Sequence, residues 1–274
     1  MYINCKGNLI DLSSPKVMGI LNITPDSFYD GGKFNSDKDI LVQAEKMLND
    51  GATFIDVGGY SSRPNARHIS EEEELKRVTP VIKLLIKEFP DILISIDTFR
   101  SNLVEECINS GACMVNDISA GAMDGEMFSM IAKLQVPYIM MHMQGTPQNM
   151  QSNSTYKDIV HEIILYFSNK INQLRVLGVN DIIIDVGFGF GKTLEHNYTL
   201  LNKLALFKNL DLPIVTGISR KSMLYKLLNT TPDNALNATT VANTIALLNG
   251  TAILRVHDVK EANEAIKIVQ FLKN

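Results

Sequence analysis

Apolar residues in this chain fall into two kinds of block that alternate from end to end. The first kind is short, nearly continuous and halts at a polar or glycine position: residues 17–21 run into Asn22, 53–57 carry Asp56 and run into Gly58 and Gly59, 92–96 run into Asp97, and 114–115 into Asn116 and Asp117. The pattern returns at 137–141 before His142, at 182–184 before Asp185, at Ile214 and Val215 before Gly217, Ser219 and Lys221, and at Ile253 and Leu254 before Arg255 and His257. Such runs suit strands buried on both faces, as parallel strands are. The second kind repeats apolar side chains at helical spacing, as in Ile40, Ala44, Met47 and Leu48, or Leu75, Val78, Ile82, Leu85 and Phe89. Further helices are predicted near 102–111, 125–134, 156–177, 194–208 and 235–248, with a last one burying Ala262, Ala265, Ile266, Val269 and Leu272.

Local signals mark the joints. Gly51, Gly111, Gly178 and Gly250 stop helices. Ser36-Asp37 is a cap-like start, Ser70 to Glu73 spells a capping box, the glutamates 71–74 read as a solvated helix start, and Pro80 predicts a kink. Residues 2–4 and 9–12 flank Lys6-Gly7-Asn8 as a small β-hairpin, expected to cap one end of the main fold. After Asn22 comes a loop rich in Thr, Pro, Asp and Gly that carries Phe28 and Tyr29, a composition suited to a lid. About eight strand-then-helix units in a chain of this length predict an α/β fold, a single (β/α)8 TIM barrel occupying 1–274 as one domain. A doubly wound open sheet is the competitor, and it would hardly accommodate so many similar units.

Composition narrows the classes of function. With 45% hydrophobic and 20% charged residues the chain can bury a full-size core, and a net charge of -4 without a basic block argues against nucleic acid as main partner. Cys5, Cys107 and Cys113 contain no Cys-x-x-Cys pair and are expected to be reduced. Neither a leader nor a membrane-length apolar segment is evident, so the expected location is the cytoplasm, with no membrane partner.

In barrels of this kind the reactive groups sit where strands end. One mouth should therefore collect Asn22, Asp56, Asp97, Asn116, His142, Asp185, Ser219, Lys221, Arg255 and His257. Asp97, Asn116 and Asp185 are rich in acceptors and suit a flat ligand edge bearing several N–H donors, such as an aminopyrimidinone ring. Arg63, Arg255 and His257 offer a cationic cluster for phosphate oxygens. Residues 187–193, Gly-Phe-Gly-Phe-Gly-Lys-Thr, look like a phosphate loop, but Val186 stands where that motif needs its first Gly, so a nucleoside triphosphate site is not expected. Met140, Met141 and Met143 around His142 are read as core filling, with Met140 a candidate to face the pocket. The histidines lack the spacing of a zinc site, and a metal here would more plausibly be magnesium on oxygen ligands.

These residues closely resemble the dihydropteroate synthase family. Its two signatures stand at 19–32 (Gly-Ile-Leu-Asn-Ile-Thr-Pro-Asp-Ser-Phe-Tyr-Asp-Gly-Gly) and 55–64 (Ile-Asp-Val-Gly-Gly-Tyr-Ser-Ser-Arg-Pro), with Ser95-Ile-Asp-Thr98, Asn116-Asp117, Asp185 plus 187–192, 217–222 and Arg255-Val-His257 besides. The resemblance covers essentially the whole chain. It implies a transferase of folate synthesis, usually a homodimer, that joins 6-hydroxymethyl-7,8-dihydropterin diphosphate to 4-aminobenzoate and releases pyrophosphate. It further implies that Asp97, Asn116, Asp185, Lys221, Met140 and Phe190 form the pterin pocket, and that Asn22, Arg63, Arg255 and His257 bind the diphosphate, with Asn22 also holding Mg2+. Phe28, Ser62, Pro64, Phe190, Lys221 and Ser222 would shape the 4-aminobenzoate pocket; Asp97, Lys221, Arg255 and His257 would be catalytic. Ser62, Asn65 and Val186 depart from the family's usual Thr, Gly and Pro, which bears on loop stiffness and inhibitor fit more than on the reaction. Two rival readings are a pterin-binding methyltransferase of the same barrel family and a catalytically silent pterin-binding paralogue.

Overall fold

A computed structural model of the protein describes residues 1–23, 37–62, 67–150 and 154–273. The chain opens with an antiparallel hairpin, β1 (Tyr2–Cys5) and β2 (Asn8–Asp11), and continues with β3 (Lys16–Asn22), α1 (Asp37–Asn49), β4 (Phe54–Gly58), α2 (Glu71–Glu88), β5 (Ile94–Asp97), α3 (Ser101–Asn109) and β6 (Met114–Asp117). Then come α4 (Met127–Leu134), β7 (Tyr138–Met141), α5 (Ile159–Val176), β8 (Ile182–Asp185), α6 (Leu194–Asn202), β9 (Ile214–Thr216), α7 (Ser222–Leu227), α8 (Leu236–Leu248), β10 (Ile253–Val256) and α9 (Val259–Lys273). Strands β3 to β10 close into an eight-membered parallel barrel in which β10 pairs with β3. The predicted barrel and hairpin are both present.

Strand alternation divides the core into two shells. Ile55, Ile94, Ile96, Val115, Tyr138, Ile182, Ile184 and Leu254 point outward and pack against the helices. Met18, Phe54, Met114, Ile139, Ile183, Val215 and Ile253 point inward, and Ile3, Cys5 and Leu12 from the hairpin region pack against them. The hairpin therefore plugs the end where strands begin, as the sequence suggested, and the Asn4 amide ties it to the Asp181 carboxylate at 3.0 Å. With one end filled by side chains, only the opposite end is left for a ligand.

Several boundaries differ from the sequence reading, each for a local reason. The helix expected at 194–208 ends at Asn202 and a 3-10 turn, Leu204–Leu210, takes over, which lines up the buried Leu204 and Phe207 three residues apart. Helix α5 starts at Ile159 because the Asp158 carboxylate accepts from the amides of Val160 and His161. Ser70 caps α2 by accepting from the Glu73 amide at 3.1 Å, while the Glu73 carboxylate is drawn to Arg77 instead of completing the box. A full capping box forms at Thr193 and His196. Helix α2 runs unbroken through Pro80. Glu74, read as part of a solvated run, is fully buried and paired with Arg100 at 2.7 Å. Among the described residues no helix is long and apolar enough to cross a membrane.

Candidate active site

Register sets the level of the polar strand ends. Asn22 lies opposite Gly58, Gly58 opposite Asp97, and Asp97 opposite Asn116, so three polar residues from β3, β5 and β6 share one tier at the open mouth. Gly58 leaves room between them: a Cβ there would sit 3.4 Å from both Asn22 Oδ1 and Asp97 Cβ. One step deeper, Asp56 is fully buried. Arg255 reaches across the barrel from β10 and donates from Nε to Asp56 Oδ2 at 2.6 Å and from Nη2 to Asp97 Oδ2 at 2.7 Å. Asn116 Nδ2 donates to the same Asp56 oxygen at 3.0 Å. Asp56 Oδ1 has no hydrogen-bond partner among the described residues. A buried acceptor left open in this way is what a ligand donor would fill.

On the other side of the mouth, Asp185 at the end of β8 accepts from the Gly187 amide at 2.8 Å. Lys221, the residue before α7, donates from Nζ to the Phe188 carbonyl and lies 4.7 Å above the Phe190 ring. A Cβ at Gly217 would lie 3.8 Å from Asp185 Oδ2 and 3.9 Å from Arg255 Cβ, which joins the two halves. His257 is exposed beyond β10, with Nδ1 3.0 Å from Ser219 Oγ.

Burial dominates the electrostatics. It pushes the Asp97 carboxyl up to about 7 against the pull of Arg255, with Asp56 adding to the rise. Asp185 is likewise raised by burial, opposed chiefly by Lys221. The Lys221 ammonium is lowered to about 8 by burial, with Asp185 resisting the fall. Burial works against the charge of Arg255 too, but Asp56 and Asp97 outweigh it and hold the guanidinium above its usual range. Three carboxylates facing two cations leave the floor acidic and rich in acceptors, suited to a neutral or electron-poor ligand ring bearing N–H groups.

Of the residues singled out from sequence, Asn22, Asp97, Asn116, Asp185, Lys221 and Arg255 converge on this mouth, with Phe190 beside Lys221. Ser62 and Ser222 are half-buried, and Ser222 is the first residue of α7. Phe28, Arg63 and Pro64 lie outside the described residues. Met140 needs correcting: it is fully buried in the shell between barrel and helices, because it has the parity of Tyr138, and its neighbour Met141 joins Tyr60, Phe99, Ile118 and Phe190 in the cluster near the mouth. His142 is also buried, its ring edge-on to Tyr166 and its Nδ1 3.1 Å from Lys192 Nζ, so it supports a loop and does not line the opening. Spacing along the chain places Asp56 at the mouth but does not show that it joins Arg255 to Asn116, nor that Glu74 pairs with Arg100. Asp56 was visible as an acid in an apolar strand; nothing local distinguished Glu74 from its three neighbours.

A parallel barrel whose open end gathers carboxylates, an amide, a lysine and a bridging arginine defines a small-molecule enzyme of the barrel class, and the "Pterin binding enzyme" family matches residues 18–257. The chain is 44% identical over 98% of its length to the dihydropteroate synthase of Escherichia coli (strain K12), of which 96% is covered. It superposes with a TM-score of 0.95 on the Yersinia pestis dihydropteroate synthase in a sulfonamide drug complex, at 42% identity over 100% of this chain and 99% of that one. The Xanthomonas albilineans dihydropteroate synthase with 4-aminobenzoic acid gives 0.91 at 33% identity, covering 99% and 98%. The chain belongs to the dihydropteroate synthase family, transferases of folate synthesis.

Proposed function

We propose that the mouth described above carries out the family's reaction, joining 6-hydroxymethyl-7,8-dihydropterin diphosphate to 4-aminobenzoate with release of pyrophosphate. The observation that carries this reading is the Arg255 bridge between Asp56 and Asp97, set beside Asn116, Asp185 and Lys221 at the one open end of the barrel. Asp97, Asn116 and Asp185 supply acceptors for the N–H edge of the pterin, Lys221 donates to its acceptor side, and Phe190 and Met141 line it. Arg255 donates to its two carboxylates through Nε and Nη2, which leaves Nη1 for phosphate oxygen, and His257 stands on the rim where the diphosphate would leave. Asn22, Arg63, Arg255 and His257 form the diphosphate side; Phe28, Ser62, Pro64, Phe190, Lys221 and Ser222 form the 4-aminobenzoate side.

The chemistry follows from charge. Breaking the carbon–oxygen bond leaves cationic character on the pterin methylene and negative charge on pyrophosphate. Asp97, ionised and held in place by Arg255, stabilises the electron-poor ring, while the cations stabilise the leaving group. The arylamine is neutral near pH 7 and attacks the methylene without a strong base, and the protonated secondary amine so formed gives up its proton to water. Its carboxylate is received by the backbone amides and hydroxyl at Ser222, where α7 begins.

Magnesium fits the donor set: the Asn22 amide oxygen and the Asp97 carboxylate approach the same point beside Gly58, both are hard oxygen ligands, and the substrate's phosphates would complete the shell. Bound there, the ion would neutralise charge on the departing pyrophosphate. A homodimer would pair through α8 and α9, which leave Val241, Leu248, Ile268 and Phe271 exposed on their outer faces. One shared core of hairpin and barrel supports treating 1–274 as a single domain, and three buried free cysteines suit a reducing cytoplasm.

Incubating purified protein with the pterin diphosphate, 4-aminobenzoate and magnesium, and measuring dihydropteroate and pyrophosphate together, tests the proposal. Equal amounts of both products are expected. Pyrophosphate without dihydropteroate, or neither product, rejects it, and the last result would favour a silent binding paralogue.

A further inference from the structure

The loop between β8 and α6 holds a buried cation that no step of the reaction uses. Lys192 is only 4% exposed, and its Nζ meets three acceptors: the Phe190 carbonyl at 2.9 Å, His142 Nδ1 at 3.1 Å and the His142 carbonyl at 3.2 Å. Burial lowers the Lys192 ammonium to about 7, with Asp185 resisting the fall; in its protonated form each of the three N–H bonds has a partner here, which leaves none for a phosphate. His142 can accept only as a neutral ring, and burial together with Lys192 lowers it to about 2, so it stays neutral. The same loop is tied from outside by Tyr156 Oη, which donates to the Gly191 carbonyl at 2.9 Å, and by Asn197 Oδ1, which accepts from the Gly189 amide at 2.7 Å. Its backbone also presses on the end of β7: a Cβ at Gly187 would come within 2.0 Å of the His142 carbonyl oxygen, so only glycine fits, and its φ of +71° agrees. The loop then presents the Phe190 ring to Lys221 and the Phe188 carbonyl to its Nζ.

We infer that Lys192 is a positioning residue: its ammonium clips the Phe190 backbone to the end of β7 and so fixes the Phe190 ring beneath Lys221. Because Phe190 and Lys221 are the residues assigned to both substrates, this inference rests on the proposed function for its kinetic consequence, though not for its structural one. The motif that resembles a phosphate loop is then a lysine-locked turn, with the cation spent on the protein's own carbonyls.

The chain contains no tryptophan, so Phe190→Trp introduces a single indole reporter at the point concerned. Its emission and anisotropy are compared with and without Lys192→Met, which keeps the aliphatic stem and removes the donors. The expected result is a red shift and a fall in anisotropy in the double variant. In the Phe190 background, Lys192→Met should lower kcat/KM by about tenfold to a hundredfold while the protein stays folded by circular dichroism. Lys192→Gln, which can still reach one carbonyl, should recover part of the loss. Identical emission and anisotropy would overturn the inference, as would a kinetic loss confined to weaker pyrophosphate binding. Should Lys192→Met fail to fold, the same two optical readings on Lys192→Gln decide. Absence of dihydropteroate formation by the wild type would sink the proposed reaction and leave the optical comparison valid.

Discussion

Replacing Arg255 by Met isolates the bridge on which the site is built. Asp56 is fully buried, and among the described residues only its Oδ2 is satisfied, by Arg255 Nε at 2.6 Å and Asn116 Nδ2 at 3.0 Å. Asp97 accepts from Nη2 of the same guanidinium. Methionine fills much of the stem's volume but leaves both carboxylates without their shared countercharge, Asp56 keeping the Asn116 amide alone, and removing one partner from a buried ion pair costs about 3–5 kcal/mol. With a urea dependence of about 2–3 kcal/mol per molar, the unfolding midpoint should fall by about 1–2.5 M. A barrel in the middle or upper part of the usual range of about 5–15 kcal/mol survives that loss, so the variant should be folded in buffer and inactive.

The cost also carries a pH signature. Asp97 is pushed up to about 7 by burial, and Arg255 is the main influence that lowers it. Without Arg255 the folded carboxyl keeps its proton to higher pH while the unfolded one has released it, so stability falls as pH rises. Relative to wild type, the deficit should widen above pH 7 by about 1.4 kcal/mol per unit until the new titration point is reached. Urea titrations of both proteins at pH 7 and about pH 8.5 read this directly. A deficit under about 1 kcal/mol at pH 7 that fails to widen at higher pH would refute the claim that Arg255 neutralises a buried acidic floor.

Other outcomes follow from the same geometry. The pH profile of kcat/KM should rise through about 7 as Asp97 ionises and fall through about 8 as Lys221 loses its proton; a profile that neither falls off below the lower value nor above the upper one contradicts the roles assigned to both. The residual activity of Asp97→Asn should lack the acid limb. Arg100→Leu should cost about 3–5 kcal/mol by leaving Glu74 buried without its cation, and adding Glu74→Leu should recover most of it, as read by urea midpoints. Ile268→Glu, on the exposed face of α9, should shift sedimentation from dimer to monomer; a wild type that sediments as a monomer removes that interface.

The alternation of buried strands and amphipathic helices, the hairpin, and the set of polar residues at strand ends were all legible from residue order alone. These depend on local spacing: a strand that halts at Asp97 or Asp185 has its polar end defined within a few residues. What the chain could not show was which way each side chain turns and whom it meets. A one-residue difference in parity sends Met140 to the helices and Met141 toward the mouth, and no neighbour of either records that choice. Glu74 finds Arg100 and Lys192 finds His142 only after helices and loops pack, and Arg255 meets Asp56 across 199 positions because β10 closes against β3. Periodicity is a property of neighbours along the chain, whereas charge pairing in a barrel belongs to neighbours in space, and it was closure of the sheet that decided them.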